Sequence, residues 1–240
     1  MTSVQEPAAA SALAPAITFR QLTVVAGRQT LLQNVDAGFQ AGKVTLIIGC
    51  SGVGKSVLLN AMADLIRDDD DVTVTGEVTR NGASVGVVFQ SFALFDELTP
   101  RQNVALAAAQ RRGPPKDPST TAELLDELQV PADVPTAALS GGQRQRLAIA
   151  RALAFDAEVI LYDEPTSGLD AQTGSKVAEL IRRAHDEHHK TSIIVTHDFA
   201  TLTCIADEVF LLDAATRSLR RIPPEQWPEL HELLVPPAQN

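Results

Sequence analysis

The apolar positions along the chain follow two rhythms. Val44–Ile48 (VTLII), Glu158–Asp163 (EVILYD) and Thr191–Thr196 (TSIIVT) are short, nearly unbroken apolar runs, the pattern of strands buried on both faces. Helical stripes follow: Leu58, Leu59, Met62, Leu65 and Ile66 within Lys55–Arg67, and Val177, Leu180, Ile181 and Ala184 within Ala171–His189. The segment after Gln143, RQRLAIARALAF, is strongly helix-forming around Leu147, Ala150, Arg151 and Leu153. Ala16–Val25 and Leu31–Gln40 alternate, which predicts an antiparallel strand pair leading into Val44–Ile48. Val72–Val78 and Ala83–Phe89 flank Asn81-Gly82, a turn signal between β-prone runs. Between Pro100 and about Ala138, Asn103–Arg112 and Ala122–Leu128 read as helices parted by GPPKDPS, a small helical insert. Glu208–Asp213 and Ser218–Ile222 predict a closing hairpin, and Pro223–Leu234 a short terminal helix in which Trp227 packs. Strands alternating with helices predict an α/β fold.

Composition narrows the function. The chain has 240 residues, 45% of them hydrophobic, enough for one large domain or one domain with a subdomain. A formal net charge of -10 argues against a nucleic-acid partner. Cys50 and Cys204, the two cysteines, suggest neither a disulfide framework nor a metal site and point to a reducing, cytosolic compartment. No apolar run is long enough to span a bilayer. The N-terminal stretch to about Pro15 lacks a basic n-region and reads as a mobile tail rather than a signal peptide. Asp68–Asp71 reads as a solvated loop, since no spaced oxygen-ligand pattern accompanies it.

The chemistry is densest at Gly49–Ser56, GCSGVGKS, which fits G-x-x-x-x-G-K-[ST] between a buried strand and a helix. Gly49, Cys50, Ser51, Gly52, Val53 and Gly54 would curl so that successive N–H groups face phosphate oxygens. The helix start adds its positive dipole end. Lys55 would reach the β- and γ-phosphates and Ser56 would place its hydroxyl on Mg²⁺. Leu139-Ser140-Gly141-Gly142-Gln143 opens a second helix and so offers a second phosphate-binding N-terminus. The strand Glu158–Asp163 ends at the acids Asp163 and Glu164, and Thr191–Thr196 ends at His197. Asp163 is placed to hold Mg²⁺ through water. Glu164, leaving the strand on the opposite side, is placed to orient or deprotonate water. His197 is placed to donate to the γ-phosphate, and Gln90 to touch the Mg²⁺ shell. His185, His188 and His189 have metal-like spacing, but a helix C-terminus enriched in His and Lys190 is the simpler account.

Gly49–Ser56, Gln90, LSGGQ at Leu139–Gln143, Asp163-Glu164, Asp170 and His197 occur in a fixed order, and about twenty residues separate LSGGQ from Asp-Glu. In this the chain, from about Ile17 to Asp213, resembles the nucleotide-binding subunits of ABC (ATP-binding cassette) transporters. The resemblance implies a P-loop NTPase cassette over residues 16–222, with a RecA-like core, an antiparallel β subdomain and a helical subdomain at about 97–152. Residues 1–15 and 223–240 would be a flexible tail and a terminal helix with its own tail. It implies ATP and Mg²⁺ as ligands, catalysis by Glu164, His197, Lys55 and Gln90, and Mg²⁺ held near Ser56, Gln90 and Asp163. Ser140, Gly141, Gly142 and Gln143 would cap the γ-phosphate of an opposite subunit, and Asp170 would link the two sites of a head-to-tail pair. That pair is a homodimer or joins a second cassette. The implied partner is an integral-membrane permease, with the subunit cytoplasmic and peripheral at the inner face of the membrane.

Val88–Thr99 is similar to the FQ-x-x-ALFD-x-LT stretch of Mla/MCE-type lipid-transport cassettes, which implies a lipid substrate, an MCE-type lipid-binding partner and an apolar knob of Phe92, Leu94 and Phe95. Three departures stand out. Val24–Gly27 has no adenine-stacking aromatic, so stacking is weak, supplied by Phe19, or absent. The stretch from Asn81-Gly82 to Gln90 is short. Val57 stands where Thr is usual, removing an α-phosphate contact. The alternative is a soluble, non-transport ABC ATPase serving cluster assembly, DNA or the ribosome. A P-loop kinase or GTPase leaves LSGGQ unexplained.

Overall fold

The computed structural model describes residues 14–67, 71–111 and 118–231. The readings of the N-terminal tail, most of Asp68–Asp71, most of the GPPKDPS stretch and the last residues of the terminal helix lie outside them. In chain order the elements are β1 (Pro15–Ala26), β2 (Gln29–Gln40), β3 (Val44–Ile48), α1 (Lys55–Ala63), β4 (Val72–Thr79) and β5 (Val85–Val88). The helices α2 (Pro100–Ala109), α3 (Pro118–Glu127) and α4 (Gly141–Ala154) follow. The chain continues through β6 (Val159–Asp163), α5 (Ala171–His188), β7 (Thr191–Thr196), α6 (Phe199–Leu202), β8 (Glu208–Asp213) and β9 (Ser218–Ile222).

The central sheet runs β5-β6-β7-β3-β8-β9, parallel except for the β8–β9 hairpin. Its inner strands are buried on both faces, as their unbroken apolar runs require. Alternation decides which face each side chain serves. Val44, Leu46 and Ile48 join Ile160, Tyr162 and Ile194 beneath α4 and α5. Ile47 joins Leu161, Ile193 and Val195 on the other face, against α1 and the smaller sheet β2-β1-β4. The expected α/β cassette architecture, with its antiparallel sheet and helices, is borne out.

One local expectation is corrected and two gain detail. The helix after the phosphate loop ends at Ala63, because Asp64 turns into the left-handed region at φ 62°, so Leu65 and Ile66 lie beyond its stripe. Asn81 and Gly82 form the expected turn between two strands, both at positive φ, and it carries the chain from β4 in one sheet to β5 in the other. The terminal segment is helical as expected over the described residues, as a 3₁₀ helix at Pro224–Glu229, with Pro228 inside it, that runs on into helical Leu230 and His231. Trp227 packs on the core as expected and donates Nε1 to the Ile222 carbonyl at 3.1 Å.

Candidate functional site

The C-terminal ends of β3, β5, β6 and β7 share one edge of the sheet, where α/β folds bind ligands. β3 opens into the phosphate loop. Gly52 and Gly54 take φ 77° and 100°, conformations that side chains resist, and a Cβ on Gly54 would lie 2.6 Å from Leu31 Cδ1. α1 then begins at Lys55 with no side-chain cap among the described residues and no acid in its first turn. Its first N–H groups therefore remain directed into the loop.

Lys55 is buried and donates Nζ to the carbonyls of Gly49 and Cys50 at 3.0 and 3.1 Å, while pairing with Glu164 Oε1 at 3.2 Å. Ser56 Oγ, beside it, donates to Asp163 Oδ1 at 2.9 Å. Glu164 Oε2 accepts from Thr196 Oγ1 at 3.1 Å and from the His197 main-chain N–H at 3.1 Å, and meets His197 Nδ1 at 2.8 Å. Three strand ends are thus joined by two neighbouring strings of polar contacts: Ser56–Asp163, and Lys55–Glu164–His197. The expectation that the two acids leave the strand on opposite sides is corrected. Glu164 lies past the end of β6 at φ 48°, outside strand alternation, and both carboxylates reach the start of α1.

Their surroundings differ. Burial, and then the Glu164 charge, raise the Asp163 pKa against the Ser56 hydrogen bond and the Lys55 charge. Burial pushes Glu164 upward too, but the His197 hydrogen bonds and the Lys55 ammonium outweigh it and hold the Glu164 pKa below the ordinary value.

The other expected residues lie around this centre. Gln90, exposed at the end of β5, donates Nε2 to Ser167 Oγ at 3.3 Å, so its recorded partner is Ser167 rather than Ser56 or Asp163. Val57 is half-buried. Ser140 caps α4 and forms a capping box with Gln143, which leaves Gly141 exposed and Gly142 half-exposed at the helix start. Asp170 caps α5, accepting from the Thr173 N–H at 3.0 Å and from Thr173 Oγ1 at 2.6 Å. Phe19 is 2% exposed and packed edge-on against Phe39, so it is not an adenine platform. Asp198, not among the expected site residues, ties Thr166 Oγ1 (2.8 Å) and the Thr201 N–H (3.2 Å) to the end of β7 and so fixes the turn carrying His197. Its place directly after His197 and before a short helix is the signal that marks it as a cap.

A phosphate loop facing paired acids and a histidine on one sheet edge defines a P-loop nucleotide-binding protein. The family model described as ABC transporter matches residues 32–167. The chain is 39% identical over 194 residues to the sulfate/thiosulfate import ATP-binding protein CysA of Synechocystis sp., covering 78% of this chain and 55% of that protein. It is 39% identical over 213 residues to CysA of Mycobacterium bovis, covering 82% and 58%. Among solved structures, the ATP-binding cassette MJ0796, a dimer in a post-hydrolysis state bound to ADP and Pi, aligns with TM-score 0.71 at 30% identity over 86% of this chain and 97% of that one. CbiO1 from Clostridium perfringens, part of the cbiONQ transporter complex, aligns with TM-score 0.76 at 26% identity, covering 92% and 93%. The chain belongs to the ABC transporter family as an ATP-binding cassette.

Proposed function

We propose that the chain is the ATP-hydrolysing subunit of an ABC importer, peripheral at the cytoplasmic face of a membrane. The observation that carries this reading is the linked set Ser56–Asp163 and Lys55–Glu164–His197 beneath an uncapped helix start. Bound ATP would draw the Lys55 ammonium from Glu164 to the β- and γ-phosphates, while the N–H groups of the loop cradle them. Glu164, released from Lys55 but still held by His197 and Thr196, would accept the proton of the attacking water as its oxygen bonds to the γ-phosphorus and ADP departs. With Nδ1 committed to Glu164, His197 would present Nε2 to the γ-phosphate. Ser56 Oγ and Asp163 Oδ1 are the adjacent hard oxygen donors that suit Mg²⁺, which would neutralise phosphate charge. The Leu139–Gln143 segment would serve the nucleotide of a second cassette, homologous or identical, with Asp170 near the join and Gln90 facing the partner side.

The transport reading is supported by relatives named as importers or as parts of transporter complexes, rather than as DNA or ribosome proteins. No helix among the described residues is long and apolar enough to cross a membrane, so a permease would supply the spans. The CysA names favour a small oxyanion over the lipid that Val88–Thr99 suggested, and give no support to an MCE-type partner. The substrate itself would be selected by the permease. Lys55→Ala tests the foundation. ATP affinity measured by calorimetry should fall at least tenfold, ~1.4 kcal/mol or more, and an unchanged affinity would remove the reading.

A further inference from the structure

Away from the phosphate site, the end of α3 meets the end of α5. Glu127 closes α3, and Glu187 and His188 lie in the last turn of α5. One carboxylate oxygen from each glutamate and one imidazole nitrogen lie within 4.8 Å of one another. Glu127 Oε1 and His188 Nε2 are each sealed from solvent and have no hydrogen-bond partner among the described residues. Buried polar atoms are nearly always satisfied, so an acceptor and an imidazole nitrogen left open side by side call for a ligand.

The neighbouring cations do not fill that role. Arg183 stands 4.0 Å from Glu187 Oε1 and gives its terminal N–H to the Glu127 main-chain carbonyl at 3.3 Å. Arg111 pairs with Asp156 through Nη2 at 3.2 Å, and its Nε and Nη1 are sealed with no partner among the described residues, so they do not reach Glu127. A cavity of about 180 Å³ borders Glu127, His188, Arg111 and Thr121, with room for water beside Glu127 and His188. The histidine spacing noted in the sequence resolves here into three fates. His185 Nδ1 meets Ser192 Oγ at 3.2 Å, His189 is the exposed left-handed cap of α5, and His188 alone joins the two glutamates.

We infer that Glu127, Glu187 and His188 form a binding site for a divalent transition metal of the zinc type, which fastens the end of α3 to the end of α5. Two carboxylates and one imidazole are a donor set that suits Zn²⁺ and leaves its fourth position to water, which the cavity can supply. An all-oxygen ion such as Mg²⁺ would leave His188 Nε2 unused. The site shares no residue with the phosphate loop and needs no nucleotide.

The full chain, stripped with a chelator and free of nucleotide, is titrated with ZnCl₂ by calorimetry and separately with CoCl₂ by visible absorption. The wild type should take up a zinc ion that raises its melting temperature, and cobalt should give a d–d band. Glu127→Gln combined with His188→Gln should weaken that binding at least tenfold and abolish the band. A Cys50→Ser, Cys204→Ser protein should retain both, which separates this site from thiol binding. If the double variant does not fold, as judged by circular dichroism, His188→Gln alone carries the comparison. Unchanged zinc affinity in the folded variant, binding that disappears with the cysteines, or no uptake by the wild type would overturn the assignment.

Discussion

Asp163 and Glu164 are consecutive, each 9% exposed, yet their proton affinities move in opposite directions. The Asp163 pKa is raised in the folded chain. Ionising it therefore costs the native state, a cost absent below the ordinary 3.8 and complete once pH passes the raised value. Asp163→Asn removes that charge and leaves an amide oxygen to accept from Ser56. The nucleotide-free variant should melt higher than wild type at pH 7, by about 2–4 °C for each kcal/mol gained in a chain of this size, and the gap should close toward pH 3. Glu164 has the opposite sign. Its lowered pKa supplies stability above the ordinary 4.5 that disappears as pH falls through the folded value. Glu164→Gln leaves buried Lys55 without its anion, so this variant should melt lower than wild type without nucleotide at pH 7. With Mg-ATP bound, the phosphates replace the missing charge. Hydrolysis should then drop by about two to four orders of magnitude, the range for losing a general base. Calorimetric melts across pH and phosphate-release kinetics check both variants, and equal shifts in the two would show that the acids are not differently tuned.

At the scale of elements, the segment Phe92–Thr99 is held from three sides. Asn103 is fully buried and exchanges hydrogen bonds with Phe95, at 3.0 Å both to its N–H and to its carbonyl, while Thr136 Oγ1 donates to Leu98 O at 2.6 Å. Arg151, from α4, lies 5.3 Å over the Phe95 ring and donates to the Ala93 carbonyl, and Arg144 pairs with Asp96. The expected knob of Phe92, Leu94 and Phe95 is thereby divided. Phe92 and Leu94 pack against the core, whereas Phe95 stays 44% exposed and borders a groove of about 450 Å³ with Leu106, itself 42% exposed. Phe95→Ser with Leu106→Ser should leave the melting temperature and the ATPase activity of the isolated subunit near wild type. It should also weaken co-purification with the permease proposed above as its partner. Retained co-purification would move docking to another face. Pattern reading placed these elements well where burial sets the period, as in β3, β6 and β7. It failed where a single backbone torsion decides, at Asp64 and Glu164, and where only packing decides, as with Phe19 against Phe39. The pairing of Glu127 with α5 was equally hidden, since its residues lie about sixty positions apart in the chain.

At the scale of the molecule, the Leu139–Gln143 segment poses the remaining question. Ser140 and Gln143 satisfy each other within their own helix, so a nucleotide would be recognised by the N–H groups and dipole end of α4, whose first turn holds no acid. A net charge of -10 opposes pairing of two copies, and ATP between them would have to supply the attraction. Without nucleotide the chain should run as a monomer in gel filtration. Glu164→Gln with Mg-ATP, unable to clear its ligand, should accumulate as a dimer. Gly141 allows a sharper test, because a Cβ there meets nothing within 4 Å. Gly141→Asp, added to Glu164→Gln, places a carboxylate at the helix start without a clash, and a negative charge there favours the helix itself. Folding and ATP binding by the monomer should be unchanged, while the new charge faces the partner's γ-phosphate and the dimer should fail to form. A dimer that survives Gly141→Asp would mean that α4 does not face the second nucleotide. A dimer that forms without ATP would place the contact on some other surface.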